Sequence, residues 1–288
     1  MHLNSTQLSE LAQVAIAAAT TAGKYISETR PEQVKHKGSG KNLASQVLTE
    51  VDLKSQEIIL EILKPTLEKF DLALLTEESP DDGRRLEKDY FWCIDPIDGT
   101  LSFINGTPGY ATSIALISRE GIPQIGVVYD PVEHNLYTAI RDQGAFRNYK
   151  SWKIGHRNGR LYLATDVTFA AAAEFPRVLE ALERFGYGPV QTTRHGGGVL
   201  NAIWALEQAP ACYFKFPNSP DGNGAFWDFA ASACIYHELG AFVSDIHGDP
   251  LELNHPENIF MNRSGTLFAT DAELVQKILA LKEDFLCR

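Results

Sequence analysis

The stretch Trp92-Cys93-Ile94-Asp95-Pro96-Ile97-Asp98-Gly99-Thr100 holds the residues best placed to do chemistry. Two aspartates, three positions apart, follow an apolar run that reads as a buried strand. Pro96 lacks an amide donor and constrains the turn. Gly99 permits backbone angles closed to other residues. The result is a rigid loop with two carboxylates and a free carbonyl converging on one point, and hard divalent cations take such oxygen ligands. The amides of Gly99 and Thr100 open a short helix, where an anion is well placed. Either aspartate alone is explained as well by a turn-capping role; the whole run after a strand is not.

Other acids stand apart. Glu77-Glu78 ends the apolar run Leu72 to Leu75, Asp52 lies in the first turn of a helix starting at Thr49, and Asp228 opens a later helix. Singly, these read as solvated glutamates and as helix-N-terminal charges favoured by the dipole. They become a site only if they meet in space, which spacing does not decide. Rival chemistries lack their motifs: there is no Cys-x5-Arg loop and no GxSxG, and His156, His237, His247 and His255 have no metal-ligand spacing.

The elements that must carry these residues show in the apolar pattern. Asn4 and Gln7 form a capping-box pair, followed by Leu8, Leu11, Ala12, Ala15, Ile16, Ala19, Ala22 and Ile26 at helical spacing. Residues 31–42, lysine-rich with Gly38 and Gly40, read as a mobile loop. The helix from Thr49 turns Val51, Ile58, Ile59, Ile62 and Leu63 inward. Residues 111–118, 122–129 and 135–140 read as a meander. After about residue 155, strands at 161–165, near 190 and at 211–216 alternate with helices over 171–185 and after Gly198. The last strong helix runs from Trp227-Asp228 to Gly240. The alternation implies an α/β (α+β) chain in two parts, 1–155 and 156–288.

Composition bounds the function. The chain has 288 residues, 44% of them apolar, enough for a substantial core. A net charge of −11 lacks the basic footprint of a nucleic-acid binder. Cys93, Cys212, Cys234 and Cys287 form no CxxC pair and read as isolated thiols of a reducing compartment. No signal segment and no run of about 18 apolar residues is present, so no membrane is implied and the cytoplasm is expected.

Together, DPIDGT (95–100) and WDFAA (227–231) resemble the two signatures of the inositol monophosphatase family. LTEVD (48–52), TEES (76–79), the run 102–132 and the run 227–251 extend the likeness over nearly the whole chain. The resemblance implies a magnesium-dependent, lithium-sensitive phosphatase of a small phosphorylated metabolite, and a homodimer. It implies a layered α/β/α/β/α sandwich, with most ligands on a domain over 1–155 and Asp228 and the specificity loops on one over 156–288. It implies two Mg²⁺ ions, with room for a third. Glu77, Asp95 and the Ile97 carbonyl would hold the first ion; Asp95, Asp98 and Asp228 would hold the second. Asp52, Glu77 and Thr100 would be catalytic through the attacking water, and Asp98, Gly99 and Thr100 would meet the phosphate. Lys41 matches the family's mobile-loop lysine. Thr76, Gln46, Ala241 and Gly198 depart from the common pattern.

Substrate cues conflict. DIHGDPL (245–251) resembles the 3′(2′),5′-bisphosphate nucleotidases, whereas DGT followed by LSF resembles inositol or histidinol phosphatases. Fructose bisphosphatase activity is a further alternative, and a non-catalytic ligand-binding member is the rival of a different class. Arg194, His195, Gly198 and Lys215 are the candidate substrate contacts, and residues 215–226 the candidate specificity stretch.

Overall fold

The computed structural model of the chain describes residues 2–31, 34–36, 47–155, 159–217, 224–261 and 263–286. Lys41, Gln46, His156, Cys287 and residues 218–223 of the specificity stretch lie outside them.

Helix α1 (Ser5–Glu28) starts where the capping pair places it: Asn4 Oδ1 accepts the Gln7 amide at 3.0 Å and Gln7 Oε1 accepts the Asn4 amide at 2.9 Å. Strand β1 (Val34–His36) falls inside the stretch expected to be a loop; it pairs antiparallel with β2 (Val47–Thr49). Helix α2 (Glu50–Lys69) follows, capped by Thr49. Val51, Ile59 and Leu63 are buried as expected, while Ile58 and Ile62 are only partly covered.

A seven-stranded sheet comes next: β3 (Ala73–Thr76), β4 (Tyr90–Asp98), β5 (Ala111–Ser118), β6 (Pro123–Asp130), β7 (Asn135–Ile140), β8 (Gly144–Arg147) and β9 (Lys150–Ser151), in that order across the sheet. A short helix α3 (Thr100–Ile104) lies between β4 and β5. Only β3 and β4 pair in parallel; the meander is antiparallel throughout.

The second sheet has the order β11-β10-β12-β14-β13, from β10 (Tyr162–Ala164), β11 (Gln191–Thr193), β12 (Ala211–Lys215), β13 (Phe242–Ser244) and β14 (Thr266–Ala269). Helices α4 (Val167–Ala170), α5 (Phe175–Glu183), α6 (Gly198–Leu206), α7 (Phe226–Glu238) and α8 (Ala272–Leu286) complete the fold. The structure therefore corrects the expectation that the strong helices end near Gly240. Leu274 and Ile278 of α8 are fully buried in the core beneath the second sheet.

Side-chain alternation sets the layers, because successive strand residues face opposite ways. Trp92 and Ile94 face α1 and α2; Phe91 and Cys93 face the other way, into a core shared with α6 and α7. Across that core, Tyr162 and Tyr213 of the second sheet face α6 and α7, while Leu163, Cys212 and Phe214 face α5 and α8. The order is helices, sheet, helices, sheet, helices, the five-layer sandwich expected. Cys93, Cys212 and Cys234 are buried free thiols. Among the described residues, no helix is long and apolar enough to cross a membrane.

Candidate active site

Asp95 and Asp98 lie within β4, not in a loop beyond it. In a regular strand, residues three apart face opposite sides. Here Asp95 pairs with Ser113 and Asp98 with Ala111, so two β4 residues, Pro96 and Ile97, oppose the single residue Thr112. This β-bulge restores both carboxylates to one side. Proline fits the position because it removes no ladder donor, and its carbonyl accepts the Thr112 hydroxyl at 3.0 Å. Asp95 Oδ1 braces the bulge by accepting the Ile97 amide at 3.0 Å. Gly99 follows at φ 82°, a left-handed angle that glycine adopts without strain.

The remaining acids arrive from separate elements. Glu77 follows β3; its amide donates to the Ile94 carbonyl at 3.2 Å, and its side chain hydrogen-bonds Asp95. Buried Gln56 of α2 shapes that turn: its Oε1 accepts the Thr76 hydroxyl at 2.5 Å and the Glu78 amide at 3.2 Å, and its Nε2 donates to Ser79 at 2.9 Å. The threonine at position 76 thus has a partner that glycine would not offer. Asp228 lies in the first turn of α7, where its carboxylate accepts the Ala225 amide.

Asp98 is held from the opposite side of the cleft. Its Oδ1 accepts the Gly198 amide at 3.1 Å and its Oδ2 the Val199 amide at 2.9 Å, so it satisfies the open amides of α6. Gly197 passes so close that a Cβ there would lie 2.3 Å from Asp98 Oδ2. Gly198, expected to meet substrate, spends its amide on Asp98.

Asp52 serves two elements. Its Oδ2 accepts the Thr49 amide at 2.8 Å and the Thr49 hydroxyl, closing the α2 cap. Its Oδ1 faces the Thr100 hydroxyl at 3.4 Å, which is also 3.1 Å from the Ile97 carbonyl. The α2 cap therefore occupies one oxygen of the carboxylate and leaves the other facing Thr100.

Asp95, Asp98 and Asp228 each present an oxygen within 4.8 Å of the others. Burial, then repulsion from Glu77, Asp98 and Asp228, pushes the Asp95 carboxyl far above the usual range. Burial and Asp228 do the same to Asp98, against the opposing Val199 amide. Burial and Glu77 push Asp228 up to about 6, with the Ala225 amide and Lys215 opposing. Clustered buried carboxylates of this kind are unfavourable without a cation, and an all-oxygen donor set fits a hard divalent one.

A pH dependence follows. Carboxyls whose folded pKa is raised stabilise the fold below the ordinary aspartate value of about 3.9 and lose that contribution as pH rises through about 6 for Asp228. A divalent cation relieves the charge only above that window. Adding Mg²⁺ to chelator-treated protein should raise Tm more at about pH 7.5 than at about pH 5. An equal rise at both would contradict the cluster's role.

These groups line one cavity of about 510 Å³, whose wall also carries Asp166, His195 and Lys215. Lys215 Nζ lies 3.2 Å from Asp166 Oδ2. His195 accepts the Ser102 hydroxyl at 2.6 Å through its carbonyl, and its ring packs on Trp204. Arg194 is not among the lining residues: its guanidinium lies over the Phe175 ring, and its Nε donates to Thr192. Gln56, Gly197 and Asp166 escaped the sequence reading. Only Gly197 left a signal there, as part of the triple glycine 196–198.

The family model described as the inositol monophosphatase family matches residues 7–280. The Nus factor SuhB of Pasteurella multocida is 28% identical over 275 residues, spanning 94% of this chain and 95% of that protein. Among solved structures, the extragenic suppressor protein suhB of Bartonella henselae is 26% identical with a TM-score of 0.73, covering 95% of this chain and 99% of its own. The inositol monophosphatase of Anabaena (Nostoc) has a TM-score of 0.70 at 21% identity, with 96% of each chain covered, a likeness of fold. The chain belongs to the inositol monophosphatase family.

Proposed function

We propose that this protein is a magnesium-dependent phosphomonoesterase that hydrolyses a small phosphorylated metabolite. The observation that carries the reading is the convergence of Asp95, Asp98 and Asp228 in the cavity that also holds Thr100. Glu77, Asp95 and the Ile97 carbonyl would hold one Mg²⁺, and Asp95, Asp98 and Asp228 a second. Bound there, the ions would lower the pKa of water and screen the phosphoryl oxygens.

The chain's own residues do the rest. The α2 cap pins Asp52, so Oδ1 keeps its place beside the Thr100 hydroxyl. Thr100 donates to Asp52 and accepts from the attacking water, so the water's proton points away from the phosphorus. With Glu77 this orients direct in-line attack without a covalent intermediate. Asp98, Gly99 and Thr100 border the phosphate position. Gly198 is assigned to holding Asp98, and Lys215 with Asp166 to the alcohol half of the substrate. A homodimer and a domain boundary near residue 155 belong to this reading.

The name of the Pasteurella relative, Nus factor, favours a second reading, a non-catalytic role for the same fold. Phosphate release discriminates the two. Saturating Mg²⁺ should give a kcat of about 1 s⁻¹ or more on one of four esters: inositol 1-phosphate, 3′-phosphoadenosine 5′-phosphate, histidinol phosphate or fructose 1,6-bisphosphate. No release from any, with metal bound, would favour the second reading.

A further inference from the structure

The cavity extends past the carboxylate cluster, and its rim is apolar. Of the large apolar side chains left exposed among the described residues, Val167 (57%) and Phe260 (42%) both line it. The backbone that carries Phe260 is held in place. It is bridged to Ala225: the Phe226 amide donates to the Ile259 carbonyl and the Met261 amide to the Gly224 carbonyl, both at 3.0 Å. Ala225 in turn donates its amide to the carboxylate of Asp228. Phe260 is therefore fixed one backbone pairing from a residue of the carboxylate cluster.

Deeper in the wall, Lys215 and Asp166 set a donor and an acceptor side by side. That pair suits neighbouring hydroxyls of any sugar or cyclitol and does not choose between them. Phe260 discriminates by degree. A cyclitol or sugar can lay only a C–H face on an aromatic ring, a weaker contact than the stacking of a flat heteroaromatic base. A cavity of about 510 Å³ has room for a nucleoside as well as its phosphate.

We propose that Phe260 is a specificity-determining residue: it selects phosphomonoesters of a nucleoside by stacking on the base. This rests on the phosphate site assigned above but not on turnover. The test uses calorimetry with Mg²⁺ and non-hydrolysable phosphonate analogues of adenosine monophosphate, histidinol phosphate and inositol 1-phosphate. Wild-type protein should bind the adenosine analogue most tightly. Phe260→Ala should weaken it roughly 5- to 150-fold, weaken the inositol analogue much less, and be rescued by Phe260→Tyr, which keeps the ring.

Equal weakening of both analogues, no weakening of the adenosine one, or tighter binding of the histidinol analogue would overturn the proposal. Failure of every analogue to bind would overturn it together with the phosphate site. Selective binding without phosphate release from any ester would uphold it and overturn only the catalytic reading.

Discussion

Replacing Asp95 with asparagine should lower phosphate release by roughly a hundredfold or more and raise the Tm of the metal-free protein. The two effects have one cause. Asp95 is buried with Glu77, Asp98 and Asp228 around it, and its charged form is disfavoured by burial and by those neighbours. Asparagine removes one charge and keeps an oxygen that can accept the Ile97 amide, so the bulge retains its brace. Relief of like-charge repulsion favours the folded state without metal. In the proposed enzyme the same charge would hold the cations, whose transition-state stabilisation is worth several kcal/mol, or about tenfold per 1.4 kcal/mol. Both quantities are read on one preparation, by melting with chelator and by phosphate release with Mg²⁺. Wild-type activity in the variant would remove Asp95 from the metal site. Lost activity with a lowered metal-free Tm would mean that its role is structural.

Gly197→Ala should nearly abolish activity through contact alone. Gly197 has φ −65° and ψ 173°, angles open to alanine, so no backbone strain is involved. The methyl group would instead lie 2.3 Å from Asp98 Oδ2 and 2.5 Å from its Oδ1 and Cγ, far inside van der Waals contact. The carboxylate must leave, and with it the bonds from the Gly198 and Val199 amides. Hydrogen bonds to a charged group contribute about 1.5–3 kcal/mol each, so Tm falls as well. Mg²⁺ affinity should drop in parallel with phosphate release. Unchanged affinity and activity would show that Asp98 is not held as described.

What was legible in the sequence had short range. The Asn4–Gln7 box, the Thr49 start of α2 and the period-2 runs of the meander depend on neighbours a few residues away, and the structure places those elements as expected. The DPIDGT run pointed to two carboxylates and a short helix beyond Gly99. It did not reveal that the strand continues through them with a bulge, because that depends on the register against Ser113 and Ala111. Gln56 over the 76–79 turn and the α6 amides on Asp98 join residues distant in the chain and carry no local pattern. Lys215 was named as a candidate contact, but its ion pair with Asp166 in the cavity wall joins residues distant in the chain and left no local signal. Helix α8 is a different kind of miss. Leu274, Val275, Ile278 and Leu281 recur at helical spacing and were readable.

On the proposed reading, phosphate release depends on divalent cations held by the buried carboxylates. Its most direct test is phosphate release from chelator-treated protein as Mg²⁺ is added back, on whichever ester of the four is turned over. No release should occur without the metal, and saturable recovery should follow its return. Undiminished release in the presence of chelator would contradict that reading.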